Sequence, residues 1–358
     1  MTIRDYAQKL YDCRFCTMCK PYGEVSSVTK DEAHSTRVCS MLLWQVADGK
    51  AQWDEHISKI VYESSLNSVN QVWCLDHNPV PQYILAARAD LVEAGLEPAR
   101  VKEYRVPLVD GFMETLESYT DSSSEVVFYP GDALAAGDPN ASIAALKLVT
   151  GAGQKLKLPS NLHDSGAVAY CLGKINLVRE QAALLIDSLQ GAKEVVVDGP
   201  LSEWVMTRVY PALGIKLPGG VKVKALNDWL VVLHSQGKFE FAEKNFRVFI
   251  VGSEFSRLLD NGYSNFRRLL LAVPGLDIVE PLDGLELAHS SGASGGLFIA
   301  APTLAAVVSQ QRVDEAQRIG AQWIICDSPL DAAHLRSLVN DAIQIGTFAE
   351  FVAPKHEV

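Results

Sequence analysis

The chain has 358 residues, enough for roughly two or three domains, with 48% hydrophobic and 21% charged residues and a formal net charge of −11. This composition is typical of a folded protein with a packed core, and the negative charge argues against nucleic acid as a partner. The best candidate for a membrane helix, GLFIAAPTLAAVV, is shorter than the roughly 18 residues required and contains a proline. The opening MTIRDYAQKL has charged residues where a signal peptide is apolar, so we expect a cytoplasmic protein.

Three cysteines near the start, Cys13, Cys16 and Cys19, follow one another at C-x2-C-x2-C spacing. The chain has seven cysteines, and an odd number without an export signal argues against a disulfide framework. Tight turns at this spacing let three thiolates reach three irons of a cubane iron–sulfur cluster, with a distant cysteine as the fourth ligand. Two other interpretations stay open: a zinc site, which more commonly uses separated C-x2-C pairs, and three free thiols.

Helices follow in the first hundred residues and strands after them. EHISKIVYESSLNSV and QYILAARADLVEAGL have apolar residues at helical spacing, and the second ends at a glycine. From residue 125 short β-branched runs alternate with helical segments, which predicts buried parallel strands in α/β units. Residues 106–124 form the predicted linker. The strand candidates are EVVFYP, KEVVVDG, VKVKAL, FRVFIVG, LDIVE and QWIICD.

The strand-rich part repeats itself. HDSGA at 163–167 returns as HSSGA at 289–293, and GAKEVVVDGPL at 191–201 returns as GAQWIICDSPL at 320–330. The order is the same in both copies. We therefore predict that residues 125–245 and 246–358 are two copies of one α/β unit, packed about a pseudo-twofold axis.

The whole chain resembles the iron–sulfur subunits that combine a helical ferredoxin domain with two cysteine-rich CCG domains. This family includes the B and D subunits of heterodisulfide reductase and the iron–sulfur subunits of glycolate oxidase and of anaerobic glycerol-3-phosphate dehydrogenase. The resemblance implies an N-terminal helical ferredoxin-like iron–sulfur domain, 1–105, followed by two CCG-like α/β domains. The matching pieces are CRFCTMC, STRVCSMLLWQVADG, NPVPQYILAARADLVEAGL, RRLLLAVPGLDIVE and HSSGASGG.

The N-terminal motifs depart from those of the family. Two-cluster members carry C-x2-C-x2-C-x3-C-P twice, and the last cysteine of each motif binds the other cluster. Here the first motif has Gly23 in place of its fourth cysteine. The second motif is reduced to Ser68, Gln71, Cys74, Asn78 and Pro79. The resemblance therefore implies a single 4Fe–4S cluster.

The fourth ligand of that cluster must come from outside the C-x2-C-x2-C run. Cys74 is the first candidate, because it lies four residues before Asn78 in the segment that the resemblance brings to the cluster. Cys39 is the second candidate, although a small buried hydrophobic residue is an equal interpretation, and His77 is the third. Without a fourth ligand, a 3Fe–4S centre would remain.

The CCG cysteines themselves are absent. The matching strand ends carry Asp132 and Glu254, and the turns and second strand ends carry Asp, Ser, Gly, Pro and Leu. Cys171 and Cys326 lie near these positions and are expected to be core thiols. Disulfide chemistry of the heterodisulfide reductase type is therefore not expected.

Both copies nevertheless keep a histidine, a serine–glycine–alanine turn and an aspartate before proline–leucine. Such residues would meet near the carboxyl ends of strands, where α/β proteins bind ligands. One interpretation is a pocket for a small molecule, quinone or flavin. The other, which we favour, is a turn whose polar side chains satisfy backbone groups. The residues are His163, Ser165, Asp198, His289, Ser291 and Asp327.

One cluster moves single electrons, so the chain cannot complete a two-electron oxidation alone. The resemblance implies that electrons come from a flavoprotein and pass to a quinone, a carrier protein or another cluster. The sequence has no G-x-G-x-x-G after a strand and no Walker motif, so the flavin is expected on a partner. We thus predict an electron-transfer subunit of a multi-subunit, flavin-dependent oxidoreductase, with a flavoprotein dehydrogenase subunit and further redox subunits as partners, held at the inner face of the membrane only through them. The alternatives are a scaffold subunit with a structural metal site and, disfavoured by the missing CCG cysteines, a thiol reductase.

Overall fold

A computed structural model describes residues 2–107, 111–339 and 343–353. Residues 108–110 of the predicted linker and 340–342 and 354–358 of the predicted second repeat lie outside the described residues. The chain divides into two compact units. The first comprises Met1–Arg105, Val168–Asn176 and Pro281–Asp314, and the second comprises Val106–Ala167, Leu177–Glu280 and Glu315–Val358. The first unit thus contains the predicted iron–sulfur domain together with two later segments.

The α-helices alternate with short strands from residue 126 onward. In chain order the helices are α1 (Ala7–Cys13), α2 (Glu24–Thr29), α3 (Thr36–Ala47), α4 (Glu55–Tyr62), α5 (Val69–Trp73), α6 (Val80–Glu93), α7 (Ala99–Glu103), α8 (Phe112–Glu117), α9 (Gly131–Ala136), α10 (Asn140–Gly151), α11 (Ala167–Cys171), α12 (Ile175–Ser188), α13 (Pro200–Trp204), α14 (Tyr210–Ala212), α15 (Leu226–Ser235), α16 (Glu254–Arg257), α17 (Ser264–Leu271), α18 (Leu297–Ala300), α19 (Pro302–Arg318), α20 (Pro329–Arg336) and α21 (Phe348–Val352). Short 3-10 helices cover Ile3–Tyr6, Lys20–Tyr22, Glu32–His34 and Ser294–Gly296, and Val205–Val209 is a π-helix.

The predicted helices of the first unit begin where the sequence indicates, but the one predicted over EHISKIVYESSLNSV ends at Tyr62. The Ser35 hydroxyl accepts a hydrogen bond from a backbone amide of α3, and the Asp54 carboxylate accepts one from α4, so both side chains satisfy N-terminal amide groups. Helix α6 begins directly after Pro79 and is followed by Gly95 in the left-handed region, with φ of 71°. The predicted helix over QYILAARADLVEAGL is therefore confirmed, as is its end at a glycine.

The strands of the second unit form parallel sheets, as predicted. One sheet has the order β1-β2-β3 and the other the order β5-β4-β6-β7. The chain is therefore a mixed α/β protein with parallel sheets. The strands are β1 (Val126–Tyr129), β2 (Glu194–Val197), β3 (Lys222–Ala225), β4 (Arg247–Val251), β5 (Asp277–Val279), β6 (Trp323–Cys326) and β7 (Gln344–Thr347).

The two sheets of the second unit share a strand order. β1 pairs with β2 and β2 with β3, just as β4 pairs with β6 and β6 with β7. In addition, Lys157 makes a parallel bridge to Val127 of β1, where the other sheet has β5 beside β4.

Six strands match the six predicted runs, but not all of them are buried. β1, β2, β4 and β6 bury most of their residues, whereas β3 and β5 are half-exposed. The prediction of buried strands is wrong for β3 and β5, because their exposed positions carry the charged residues Lys222, Lys224 and Asp277. β7 is a strand that the sequence analysis does not predict. Within the described ranges, no helix is long and apolar enough to cross a membrane.

Candidate metal centre

The three clustered cysteines lie on two successive tight turns. Cys13 is the last residue of α1, and the backbone amide of Cys16 bonds to the Cys13 carbonyl at 3.0 Å. Cys19 directly precedes the 3-10 helix Lys20–Tyr22. The chain therefore turns once between each pair of thiols, which keeps all three on the same short loop.

The fourth cysteine arrives from the end of α5. Cys74 directly follows Trp73 in an extended conformation, and its carbonyl accepts a hydrogen bond from the His77 amide at 3.0 Å. The Trp73 indole N–H donates to the Met18 carbonyl at 3.1 Å, which joins this segment to the cysteine loop.

The four thiols named above line one cavity of about 130 Å³. The wall is largely apolar, with Met18, Leu75 and Val80 beside the sulfur atoms. Asn78 also lines it, but its amide donates to the Lys9 carbonyl at 2.8 Å, so this side chain is bound to the first turn of α1. An amide is a poorer iron ligand than a thiolate, and Cys74 is the thiol that this segment supplies.

The two alternative ligands lie elsewhere in the first unit. Cys39 is buried in α3 and lines a second cavity of about 30 Å³, which has room for about one water molecule. His77 is exposed, has a φ of 45° and does not line the cavity of the four cysteines. Neither side chain is therefore brought to that cavity.

Two buried hydroxyl groups, which the sequence analysis does not select, contact Cys13. Ser40 of α3 donates a hydrogen bond to the Cys13 sulfur at 3.2 Å, and the Tyr83 hydroxyl of α6 lies 3.9 Å from the same atom. The two hydroxyl oxygens are 2.8 Å apart. A polar serine in the apolar run CSMLLWQV is the one sign of this contact in the sequence.

Burial affects the pKa of two of the cavity thiols, Cys13 and Cys19. It raises the pKa of Cys13, against the lowering effect of hydrogen bonds from Ser40 and Tyr83. It also raises the pKa of Cys19 to about 11. Metal coordination requires thiolates, so binding of iron here would release protons.

The thiol chemistry of the cavity fits a cluster. Among the residues that the structure describes, no three or more His, Cys, Asp or Glu side chains are arranged to hold a metal ion. A site for one ion with metal–sulfur bonds of about 2.3 Å needs sulfur atoms within about 4 Å of one another. A cubane cluster binds each thiolate through a different iron, so its ligands surround a cavity rather than converge on a point. A cavity lined by four thiols is therefore the arrangement that a cubane cluster requires.

A second candidate site lies at the carboxyl ends of strands in the second unit. Asp198 directly follows β2 and Asp327 directly follows β6, and both line a cavity of about 300 Å³. Burial raises the pKa of Asp198 to about 8 and that of Asp327 to about 7. Glu203 of the same cavity has a pKa raised to about 8 by burial. Burial thus favours the protonated form of these carboxyl groups, which can donate a hydrogen bond.

The remaining pocket residues take part in local hydrogen bonds. In the second unit the Tyr129 hydroxyl donates to the His163 carbonyl at 3.0 Å, and the Ser165 hydroxyl donates to that of Ser202 at 3.3 Å. His289 and Ser291 belong to the first unit, where the Ser291 hydroxyl accepts from a backbone amide. These four residues do not line the 300 Å³ cavity. A pocket for a small molecule stays the less favoured of the two interpretations, beside the structural turn.

Comparison with known proteins assigns no family. No family model matches the sequence, and no curated protein matches it. Among solved structures, a protein of Yersinia pestis with a proposed Asp/Glu racemase assignment is similar, at 14% identity and a TM-score of 0.30. The match covers 63% of this chain and 96% of that one. A likeness at this level carries no argument about function.

Proposed function

We propose that this chain is an electron-transfer subunit that holds one 4Fe–4S cluster and works beside a flavoprotein. The observation that supports the proposal is the apolar cavity lined by Cys13, Cys16, Cys19 and Cys74. Four thiolates are the ligand set of a cubane cluster, and a bound cluster would accept and release one electron at a time.

The surrounding residues give the cavity its chemical character. Apolar side chains of Met18, Leu75 and Val80 form part of the cavity wall beside the sulfur atoms, of which that of Cys16 is exposed. Ser40 donates a hydrogen bond to Cys13, which orients its sulfur. Phe15 and Leu75, 70% and 82% exposed, leave apolar surface beside the cysteine loop.

We further propose that the ferredoxin-like part, residues 1–105, is followed by two CCG-like α/β repeats, 125–245 and 246–358, related by a pseudo-twofold axis. The shared strand order of the two sheets supports the repeat. So does the position of Asp198 after β2 and of Asp327 after β6, each two residues before a helix that begins with proline.

The strand ends of the second unit supply carboxylates and hydroxyls in place of thiols. Asp132 accepts from the backbone amides of Leu201 and Ser202 and from the Ser328 hydroxyl, at 3.1, 2.8 and 3.0 Å. Such bonds satisfy buried polar groups and support a structural role for these turns. We therefore assign the electron transfer to the N-terminal cysteines and a docking role to the α/β body.

The test uses the native complex, purified without oxygen. We expect a flavin-containing subunit to copurify, and photoreduction of its flavin to be followed by bleaching of the visible absorbance of the cluster. In Cys13→Ala the flavin should still be reduced, but no bleaching should follow. Cys326→Ala, which removes a buried thiol of β6, is the control and should behave as the wild type. Unchanged electron delivery in Cys13→Ala would contradict the proposal.

A further inference from the structure

The contact of Ser40 and Tyr83 with Cys13 is a buried hydrogen-bonded chain. Both side chains have no measurable exposure, and they come from two different helices, α3 and α6. The Ser40 oxygen lies 3.2 Å from the Cys13 sulfur and 2.8 Å from the Tyr83 oxygen. The direct distance from Tyr83 to the sulfur is longer, at 3.9 Å.

The direction of this chain follows from the proton count. A thiolate can only accept hydrogen bonds, and each hydroxyl has one proton to donate. When Cys13 is a thiolate, Ser40 donates to its sulfur, and the Tyr83 hydroxyl donates to the Ser40 oxygen. Burial raises the pKa of Tyr83 well above its usual value, so the phenol keeps the proton that it donates. Two hydroxyls in series strengthen each other as donors.

A serine inside a helix more commonly bonds to a carbonyl one turn back or points to solvent. Ser40 instead points into the unit toward a sulfur atom, and Tyr83 supports it from the facing helix. Burying two hydroxyl groups costs free energy that burying two apolar groups in their place would not cost. Both, moreover, converge on one of the four cavity thiols.

We propose that Ser40 and Tyr83 are positioning residues that fix the Cys13 sulfur and raise the reduction potential at that site; this rests on the cluster proposed above. Adding one electron increases the negative charge on the coordinating sulfur. A hydrogen bond to that sulfur therefore stabilises the reduced state more than the oxidised state. Loss of the donor makes reduction less favourable.

Ser40→Ala and Tyr83→Phe should both lower the reduction potential, but by different amounts. Ser40→Ala removes the direct donor and should lower the equilibrium constant for one-electron reduction about tenfold, which corresponds to about 59 mV. Tyr83→Phe keeps the ring in place and removes only the outer donor, so it should lower the potential by a smaller amount. A lower cluster occupancy would not obscure either result, because a potential does not depend on the amount of protein that carries it.

The experiment is a redox titration followed by EPR on the purified chain, with iron content measured in parallel. Two controls remove a buried hydroxyl of the same unit that bonds to a backbone carbonyl: Ser58→Ala, whose hydroxyl bonds to Leu96, and Tyr62→Phe, whose hydroxyl bonds to Leu172. Potentials lowered in Ser40→Ala and Tyr83→Phe but not in the controls would support the inference.

Two other outcomes overturn it in distinguishable ways. An intact cluster whose potential is unchanged in Ser40→Ala and Tyr83→Phe, or shifted equally in the controls, would refute the inference and leave the proposed function standing. A wild-type chain that holds no iron and sulfide would refute the proposed function, and the inference with it.

Discussion

Arg88 and Gly295 are 207 positions apart in the chain, yet the buried guanidinium of Arg88 donates a hydrogen bond to the Gly295 carbonyl at 2.5 Å. The same guanidinium donates to the carbonyls of Val61, Ser64 and Cys171. One side chain thus joins three separate stretches of the sequence within the first unit, and its charge is compensated by backbone dipoles.

Replacing this side chain should destabilise the first unit strongly. Arg88→Met fills much of the same volume but removes five hydrogen bonds to four carbonyls, each bond worth about 1 kcal/mol. We expect the free energy of unfolding to fall by about 3 kcal/mol or more, as measured by denaturant titration. Arg105→Met, at an exposed arginine, is the control and should change it by less than about 0.5 kcal/mol. Equal effects would show that Arg88 is not a structural centre.

The fourth ligand of the proposed cluster can be identified by comparing two cysteine variants. Cys74 lines the cavity of the clustered thiols, whereas Cys39 lines a different one. Cys74→Ser should therefore convert the centre to a three-iron form or lower its iron content sharply, because a hydroxyl is a poor substitute for thiolate. Cys39→Ser should leave the EPR spectrum nearly unchanged. The reverse pattern would move the assignment to Cys39.

The stability of the second unit should fall as the pH rises. Burial raises the pKa of Asp198 to about 8, far above the value of about 3.9 in an unfolded chain. Between these values the folded state holds a proton that the unfolded state releases. The contribution of protonated Asp198 to stability is therefore complete below pH of about 4. It is lost as the pH rises to about 8, by up to about 1.4 kcal/mol per pH unit.

Two variants test whether Asp198 makes stability fall as the pH rises. Asp198→Asn should flatten the dependence of the unfolding free energy on pH, although Asp327 and Glu203 retain part of it. Ser142→Ala removes the 3.0 Å hydrogen bond that lowers the pKa of Asp198, so the loss should extend to higher pH. A stability that rises from pH 5 to pH 8 in the wild type would contradict the assignment.

The turn between β2 and α13 depends on a glycine. Gly199 has a φ of 119°, and a Cβ added there would overlap the carboxylate of Asp132, which caps α13. Gly199→Ala should therefore lower the unfolding free energy by about 3 kcal/mol, through strain and clash together. Gly191→Ala, at φ of 78° with open space around it, has the strain alone and should cost about 1 kcal/mol. Similar losses in both would mean that Asp132 moves aside easily.

The sequence predicts the strands because buried β-branched runs are local signals. β4 and β6 follow from FRVFIVG and QWIICD, which contain the uninterrupted apolar runs VFIV and WIIC. β7 carries the sequence QIGT, with a glycine and two polar residues, and its pairing with β6 is a tertiary contact that no local pattern indicates.

In the candidate site, too, some features follow from local sequence and others depend on helix packing. The closeness of Cys13, Cys16 and Cys19 follows from spacing, since three residues make one turn. The arrival of Cys74 depends on the packing of α5 beside the loop, and the resemblance rather than any pattern indicates it. The roles of Ser40 and Tyr83 cannot be predicted from the sequence, because a hydroxyl inside a helix has no periodic signature. The partner of such a hydroxyl is set by helix packing.

The most direct test of the central claim is the iron and acid-labile sulfide content of the anaerobically purified chain, measured together with its EPR spectrum. The account predicts about four irons and four sulfides per chain and the signal of one cubane cluster. Near-stoichiometric zinc without iron would contradict it, and about eight irons would show that a second cluster site persists.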